Sequence, residues 1–161
     1  MSLRETLAQI PPGIITTIAG AGYRDGVPAR DADAGWPLGI ARLPDGDLIV
    51  ADYKGHRIWR IDGDGILHTF AGDGVPGDSG DGGPASEARV YGPHDVAVDK
   101  HGNVFFSDLI NQTYRRIDYA TGTITRIVGS GRMGRGGDGG PALDAELDTT
   151  SGIAIDDEGN I

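Results

Sequence analysis

Hydrophobic and polar residues alternate along this chain over short stretches that end at glycine, proline or aspartate. The pattern is clearest at 94–99 (HDVAVD), 103–108 (NVFFSD), 113–118 (TYRRID) and 123–129 (TITRIVG). Alternation with a period of two, bounded by turn residues, is typical of β-strands. We therefore predict four antiparallel strands, a to d, with a short hairpin turn at 100–102 between the first two.

This four-strand unit repeats. Residues 37–62 align without a gap with 93–118 at an offset of 56 residues, and 150–161 begin a third copy at an offset of 57 from the second. A repeat period of this order indicates a propeller, a solenoid or an array. Four antiparallel strands per repeat favour the blade of a β-propeller, with strand a at the central channel and strand d at the rim. A four-stranded solenoid unit is the alternative.

The predicted fold class is therefore an all-β propeller of four-stranded antiparallel blades. An N-terminal extension at 1–12 precedes a partial propeller at 13–161. Within the partial propeller, we predict an outer strand of a preceding blade at 13–20, two blades at 37–72 and 93–129, and the start of a further blade at 150–161. A propeller usually needs at least four blades to close its ring. We expect the missing blades to come from the same longer chain or from another copy of it.

The crossover from the rim strand of one blade to the channel strand of the next contains GDGGPA, at 80–85 and again at 137–142. Two crossover stretches formally match the dinucleotide-binding pattern G-x-G-x-x-G, but they lead into further turns instead of a long helix, which excludes that site. The crossover aspartates Asp78, Asp81 and Asp138 leave an irregular calcium site open, beside the alternative that they only form turns.

Composition narrows the class of protein. The chain has 161 residues and no cysteine, which predicts a single domain without disulfides, thiolate zinc sites or cysteine nucleophiles. Its 24 acidic and 14 basic residues give a net charge of −10, which repels a phosphate backbone and argues against nucleic acid as a partner. No apolar run approaches the length of a membrane span, and the N-terminal residues are too polar for a signal peptide. We expect a soluble protein without a membrane partner, in an unknown compartment.

The module at 80–118 resembles the repeat of the NHL β-propeller family in its bacterial form, since a glycine-rich crossover precedes the channel strand and Ser-Asp closes strand b. In the first unit, GHRIWRID at 55–62 follows Asp52 and is similar to the Asn-His-Arg-Ile element that this family commonly carries. The resemblance extends over nearly all of 13–161 and implies a six-bladed ring. It also implies a range of functions, because these propellers include protein-binding modules, RNA-binding modules and metal-dependent enzymes.

Alternating strand direction brings the end of strand b, the b–c loop, the crossover and the start of strand a to one face of the disc. Propeller ligands often bind at such a face, where the loops converge around the axis. The predicted binding residues on this face are Trp36, Leu38, Asp52, His56, Tyr91, His94 and Ser151.

His94 is the candidate metal ligand and catalytic base, because neutral imidazole is the commonest ligand and titrates near neutral pH. Its equivalents in the other repeats are Leu38 and Ser151, which are poor ligands, so this chain alone does not encode a three-histidine zinc site. The alternative is a structural role, in which His94 hydrogen-bonds to a loop carbonyl or to Asp95.

Asp52 and Asp108 resemble an acid/base pair of carboxylates. Because they recur at one position per blade, we expect each to cap its own b–c loop, with Asp52 also holding His56. The arginines of the c strands, such as Arg115, alternate with apolar residues and are expected to face solvent or the neighbouring blade.

The candidate face is compatible with three functional hypotheses. The first is a binding or scaffold module that recognises a protein, peptide, glycan or small-molecule ligand. The second is a fragment of a metal-dependent hydrolase or lyase, as the resemblance to gluconolactonase, strictosidine synthase-like and peptide-amidating lyase propellers implies. In that case His94, supported by Asp95 or Asp108, faces a divalent cation, calcium or zinc, which activates water or polarises the substrate. A purely structural spacer is the third.

Overall fold

The computed structural model describes residues 25–32 and 35–161. Its strands are β1 (Val27–Pro28), β2 (Pro37–Arg42), β3 (Leu48–Asp52), β4 (Arg57–Ile61), β5 (Ile66–Ala71), β6 (Pro93–Val98), β7 (Val104–Asp108), β8 (Thr113–Ile117) and β9 (Ile124–Val128). The helical elements are three single-turn 3₁₀ helices, η1 (Ala29–Asp31), η2 (Ala85–Glu87) and η3 (Ala142–Asp144).

The strands form two antiparallel sheets in the order β1-β5-β4-β3-β2 and β6-β7-β8-β9. Consecutive strands pair from β2 to β5 and from β6 to β9, which confirms the predicted strands a to d in both repeats. The all-β fold of four-stranded blades is confirmed with them. Among the described residues, no helix is long and apolar enough to cross a membrane.

Strands a and b meet in the same register in both blades. Pro37 pairs with Asp52, and Pro93 pairs with Asp108, with a register irregularity directly after each pair. The start of strand a therefore lies beside the end of strand b, as antiparallel pairing requires. This register places the residues that precede strand a next to the b–c loop.

The stretches before the first and second blades each contain an arm that runs along strand d of the blade that follows it. In the arm before the second blade, the Gly82 N–H donates to the Ile124 carbonyl at 2.8 Å, and the Ala85 N–H donates to the Gly122 carbonyl at 2.9 Å. These bonds cover the start of the open edge of the rim strand, and an uncovered strand edge is a template for pairing with another chain.

The arm before the first blade is a further copy of this motif, which was not predicted from the sequence. The stretch DGVPA at 25–29 occupies the place of DGGPA at 81–85, and its N–H groups donate to the Leu67 and Gly65 carbonyls, both at 2.8 Å. The helices η1 and η2 follow at equivalent positions. The repeat therefore includes the arm as well as the four strands.

The third arm, at 137–145, repeats the local structure of the other two. Ala142 is exposed, whereas its equivalents Ala29 and Ala85 are 1 % and 3 % exposed. The described residues place no strand d beside this arm. It presents to solvent a surface that both other arms bury.

The main hydrophobic core lies between the two blades and includes the crossover that joins them. Ala85, Ala88 and Val90 of that crossover pack with Phe106 and Ile117 of the second blade. A second cluster buries the first arm against the outer half of the first blade; its members are Ala29, Ala32, Val50, Trp59, Ile61 and Leu67. Burial of these apolar surfaces fixes each arm to its blade.

Residues 150–161, predicted to begin a further blade, contain no assigned strand. Their hairpin turn is formed, because the Asp156 N–H donates to the Asn160 carbonyl at 3.0 Å, as the Asp99 N–H donates to the Asn103 carbonyl at 3.1 Å in the second blade. The start of a further blade stays a prediction. The extension predicted at 1–12 and the outer strand predicted at 13–20 lie outside the described residues.

The channel strands of the two blades approach so closely that only glycine fits at position 39. A Cβ atom there would lie 2.7 Å from Asp95 Cα and 2.9 Å from the Val96 nitrogen, both backbone atoms. We expect Gly39→Ala to lower the free energy of unfolding by about 1–3 kcal/mol in urea denaturation, because the blades must separate to admit the methyl group. Gly63→Ala is the control, since the nearest atom to a Cβ there is 4.0 Å away. Equal decreases in the free energy of unfolding of the two variants would contradict the close approach of the two channel strands at Gly39.

Candidate binding site at the channel mouth

An aromatic cluster stands in front of strand a of the first blade. The ring centroids of Trp36 and Tyr53 are 6.0 Å apart, and Lys54 Nζ lies 4.1 Å from the centre of the Trp36 ring. The Tyr53 N–H donates to the Trp36 carbonyl at 3.0 Å, which joins the two residues. Trp36 is still 54 % exposed, so a large aromatic surface faces solvent at this edge.

A cavity of about 280 Å³, the mouth cavity, opens beside this cluster. Trp36, Leu38 and Tyr53 of the first blade line it together with His94 and Leu109 of the second. Leu38 is 49 % exposed. The lining is mainly apolar, and its side chains carry polar groups only at Trp36, Tyr53 and His94, so the cavity suits an apolar group with a few polar contacts.

Strand direction alone places Trp36, Leu38 and His94 at this mouth, and all three line the cavity. Tyr53 and Leu109 were not predicted. They occupy equivalent positions of the two repeats, directly after the aspartate that closes strand b. The recurrence of a hydrophobic residue after each aspartate is the signal that identifies them. Whether the five residues bind a ligand stays a prediction.

Tyr91 and Ser151 lie on the same face but outside the cavity lining. The Tyr91 ring meets the His56 ring edge-on, with 5.2 Å between centroids. The Ser151 carbonyl accepts a hydrogen bond from Ser107 Oγ at 2.7 Å. Both residues therefore join one repeat to the next.

The Nδ1 atom of His94 is buried and has no hydrogen-bond partner among the described residues. The predicted bond to Asp95 is not formed by this atom, because the Asp95 carboxylate oxygens accept the N–H groups of Val96 (2.9 Å) and Ile153 (3.1 Å). An unpaired buried polar atom is uncommon. It marks His94 as a polar feature of the mouth cavity.

Asp52 is fully buried at the end of strand b. Its carboxylate accepts hydrogen bonds from the N–H of Gly55 (2.9 Å), the N–H of Trp36 (3.0 Å) and the indole N–H of Trp59 (3.0 Å). The predicted cap of the b–c loop is present. The same carboxylate holds the residue before strand a, so Asp52 positions the edge of the cavity.

Asp108 has the equivalent role in the second blade. It accepts hydrogen bonds from the Tyr91 N–H (2.7 Å) and from Asn111 Nδ2 (2.9 Å), and Arg115 Nη1 lies 3.5 Å away. Burial raises the pKa of this carboxyl to about 6, although these three donors act in the opposite direction. Asp52 and Asp108 are each bound by local donors, so they do not form an acid/base pair open to a substrate.

Arg115 occupies the position that Trp59 has in the first blade, and it is completely buried. Its guanidinium lies 3.0 Å from an Asp81 carboxylate oxygen and donates to the carbonyls of Ser79 (3.0 Å) and Arg89 (2.8 Å). Of the two surroundings predicted for the strand c arginines, solvent is wrong for this residue, which faces the crossover from the preceding blade. Its charge and several donors are satisfied by the crossover, which it anchors to the second blade.

His56 bonds to the next repeat instead of to Asp52. Its Nδ1 accepts a hydrogen bond from the Gly92 N–H at 3.3 Å. Asp52 acts on the ring through its charge, and burial lowers the pKa of His56 more than this charge raises it. The prediction that Asp52 holds His56 is therefore replaced by a contact between the blades.

Within residues 25–32 and 35–161, no group of three histidine, aspartate or glutamate side chains is placed to bind a metal ion. The candidate set of His94, Asp95 and Asp108 is thus not brought together as a ligand group. The crossover aspartates considered for calcium are engaged by arginines, Asp78 by Arg126 at 2.6 Å and Asp81 by Arg115 at 3.0 Å; Asp138 is exposed on the third arm.

Comparisons with known proteins agree with this architecture. The family model of the NHL repeat matches residues 35–61. Teneurin-1 of Gallus gallus is 47 % identical over 51 residues, which are 32 % of this chain and 2 % of that protein. Teneurin-3 of Danio rerio is 37 % identical over 98 residues, 53 % of this chain and 4 % of that protein. The chain thus spans a small fraction of the length of the curated relatives that it matches.

Among solved structures, an auxiliary nutrient binding protein from Bacteroides ovatus superposes with a TM-score of 0.61 at 20 % identity, covering 80 % of this chain and 34 % of that one. At this identity the likeness concerns the fold alone. It agrees with the blade architecture and carries nothing about the ligand.

The raised pKa of Asp108 predicts a pH dependence of stability. Between about pH 4 and 6 the folded protein keeps a proton on this carboxyl that the unfolded chain releases, so the group disfavours folding increasingly as the pH rises. Asn cannot ionise. We therefore expect the stability of Asp108→Asn relative to the wild type to improve by up to about 3 kcal/mol from pH 4 to pH 7, measured by urea denaturation.

Asp118→Asn is the control for this titration. Hydrogen bonds from Thr121 lower the pKa of the half-buried Asp118 carboxyl, so the stability of Asp118→Asn relative to the wild type should instead fall as the pH rises through the acidic range below 3.8. A stability difference for Asp108→Asn that does not change with pH would contradict the raised pKa.

Proposed function

We propose that this chain, whose residues 35–61 match the NHL repeat, is a binding module whose mouth cavity receives an apolar side chain of a protein or peptide partner. The observation that carries the proposal is the cavity itself, which two consecutive blades build from Trp36, Leu38, Tyr53, His94 and Leu109. Concave, mainly apolar sites with a few polar groups are typical of ligand recognition.

The chemistry of the lining supports a protein or peptide over the other ligand classes. Exposed tryptophan and tyrosine are enriched at the centres of protein interfaces, where they bury large areas at low entropic cost. A glycan needs many hydrogen-bonding groups, whereas the side chains of this lining carry such groups only at Trp36, Tyr53 and His94. The net charge of −10 disfavours nucleic acid.

The metal-dependent hydrolase or lyase has less support from the site. It requires a ligand set around His94, and the described residues assemble none. Asp95 and Asp108 are already bound by backbone and side-chain donors. We therefore propose binding, and no enzymatic step, for the part of the chain that the structure describes.

The proposal is tested with peptides selected against this chain from a random phage-displayed library. We expect selected peptides to share an aromatic or aliphatic residue, and Trp36→Ala and Leu38→Asp each to weaken their binding at least tenfold in isothermal titration calorimetry, as the loss of an interface anchor does. Tyr119→Ala, an exposed aromatic residue near the a–b turns, is the control. Equal affinities for the Trp36 and Tyr119 variants would contradict a site at the mouth cavity.

We also propose that the third arm binds strand d of a further NHL blade, from the same longer chain or from another copy. The support is the pairing of both other arms with such a strand. In the 161-residue monomer, we expect amide hydrogen exchange at 139–142 to be much faster than at 82–85. Protection that grows with protein concentration would identify another copy as the source, and equal protection of both arms in the monomer would contradict the proposal.

A further inference from the structure

The b–c loop of each blade accepts one backbone N–H from the turn that precedes the next channel strand. In the first blade, His56 Nδ1 accepts the Gly92 N–H at 3.3 Å. In the second blade, Gln112 Oε1 accepts the Thr149 N–H at 3.0 Å. His56 and Gln112 are equivalent in the repeat and share a left-handed backbone, with φ of 51° and 55°. Gly92 and Thr149 also match, with φ of 67° and 64°.

Gly92 lies between His56 and the mouth cavity. A Cβ atom on Gly92 would be 2.8 Å from the Tyr53 ring, so the turn packs directly on a cavity residue. The Gly92 carbonyl accepts the Leu109 N–H at 3.3 Å, and Leu109 is a second cavity residue. The bond to His56 therefore supports the part of the cavity wall to which both blades contribute.

This bond depends on the protonation state of the imidazole. A ring nitrogen accepts an N–H only through its lone pair, and both ring nitrogens of a protonated histidine are donors. Protonation of His56 thus turns an acceptor into a donor that faces the Gly92 N–H. The equivalent amide of Gln112 does not titrate, so the second blade keeps its bond at any moderate pH.

The charged and titratable groups around His56 act in different directions. Asp52, in the same loop, favours the protonated ring through its charge, while burial favours the neutral ring and has the larger effect. Lys54 and Arg57 flank the loop in sequence, and Tyr91 packs on the ring from the next crossover. The neutral ring is the form that the surroundings stabilise.

We propose that His56 is a pH-sensitive latch for the mouth cavity, in which protonation releases the Gly92 N–H and loosens the wall formed with Tyr53 and Leu109. The consequence for ligand affinity rests on the proposed function of the cavity. The latch is closed above the ordinary histidine pKa of 6.5 and opens as the pH falls below it, because the folded protein holds the neutral ring more strongly than the unfolded chain does.

The test compares Gly92 with Thr149 by amide hydrogen exchange and NMR from pH 7.5 to pH 5, on the 161-residue chain without ligand. We expect protection of Gly92, corrected for intrinsic exchange, to fall about fivefold relative to Thr149 on acidification, as the loss of one hydrogen bond predicts. The Leu109 methyl signals should shift with the same midpoint. His56→Gln should abolish both changes while keeping the bond, since glutamine occupies this place in the second blade.

The reciprocal variant, Gln112→His, gives an independent readout. It should transfer the pH-dependent loss of protection to Thr149. Three results would each overturn the latch. The first is an equal change in the protection of Gly92 and Thr149 in the wild type, and the second is a pH dependence that persists in His56→Gln. The third is a Leu109 methyl signal that does not shift with the protection of Gly92. If the amide exchange shows the latch but the selected peptides do not bind to the mouth cavity at any pH, the result would instead count against the proposed function alone.

Discussion

A buried carboxylate cannot remain in the interior without hydrogen-bond donors around it, and this requirement organises both blades. Asp52 and Asp108 close strand b, and each gathers donors from the residues before strand a, from its own b–c loop and from strand c. One side chain thereby fixes its own b–c loop and strand c to the residues that precede strand a. The mouth cavity depends on this arrangement, because Trp36 is one of the residues so held.

The two blades satisfy that carboxylate with different chemistry. Trp59 donates an indole N–H and otherwise belongs to an apolar cluster with the first arm. Arg115 stands in the same place but extends to Asp81 and to carbonyls of the preceding crossover. Removing the charge at Asp108 or at Arg115 therefore affects the crossover as well as the blade, whereas Asp52 and Trp59 form a more local unit. Equivalent positions in a repeat need not have equivalent energetics.

The sequence was sufficient for the strands and for the face on which the site lies, because both follow from a period of two and from alternating strand direction. Trp36, Leu38 and His94 were located for this reason. The burial of Arg115 was not predictable, since alternation tells which side of a sheet a residue occupies and not what covers that side. The bond from Gly92 to His56 was missed for a related reason, as it joins two blades whose separation is set by Gly39.

The arms place the start of each structural unit before its channel strand and not at it. The segment that pairs with the start of the rim strand β9 does not belong to the hairpins β6 to β9. It lies about forty residues earlier, at 82–85. During synthesis, the arm is therefore made before the rim strand whose edge it covers. The rim strand has this pairing segment available as soon as it leaves the ribosome. A second blade excised at the start of its channel strand would lose the arm at 82–85. A blade excised by a cut at 73–77 would keep that arm.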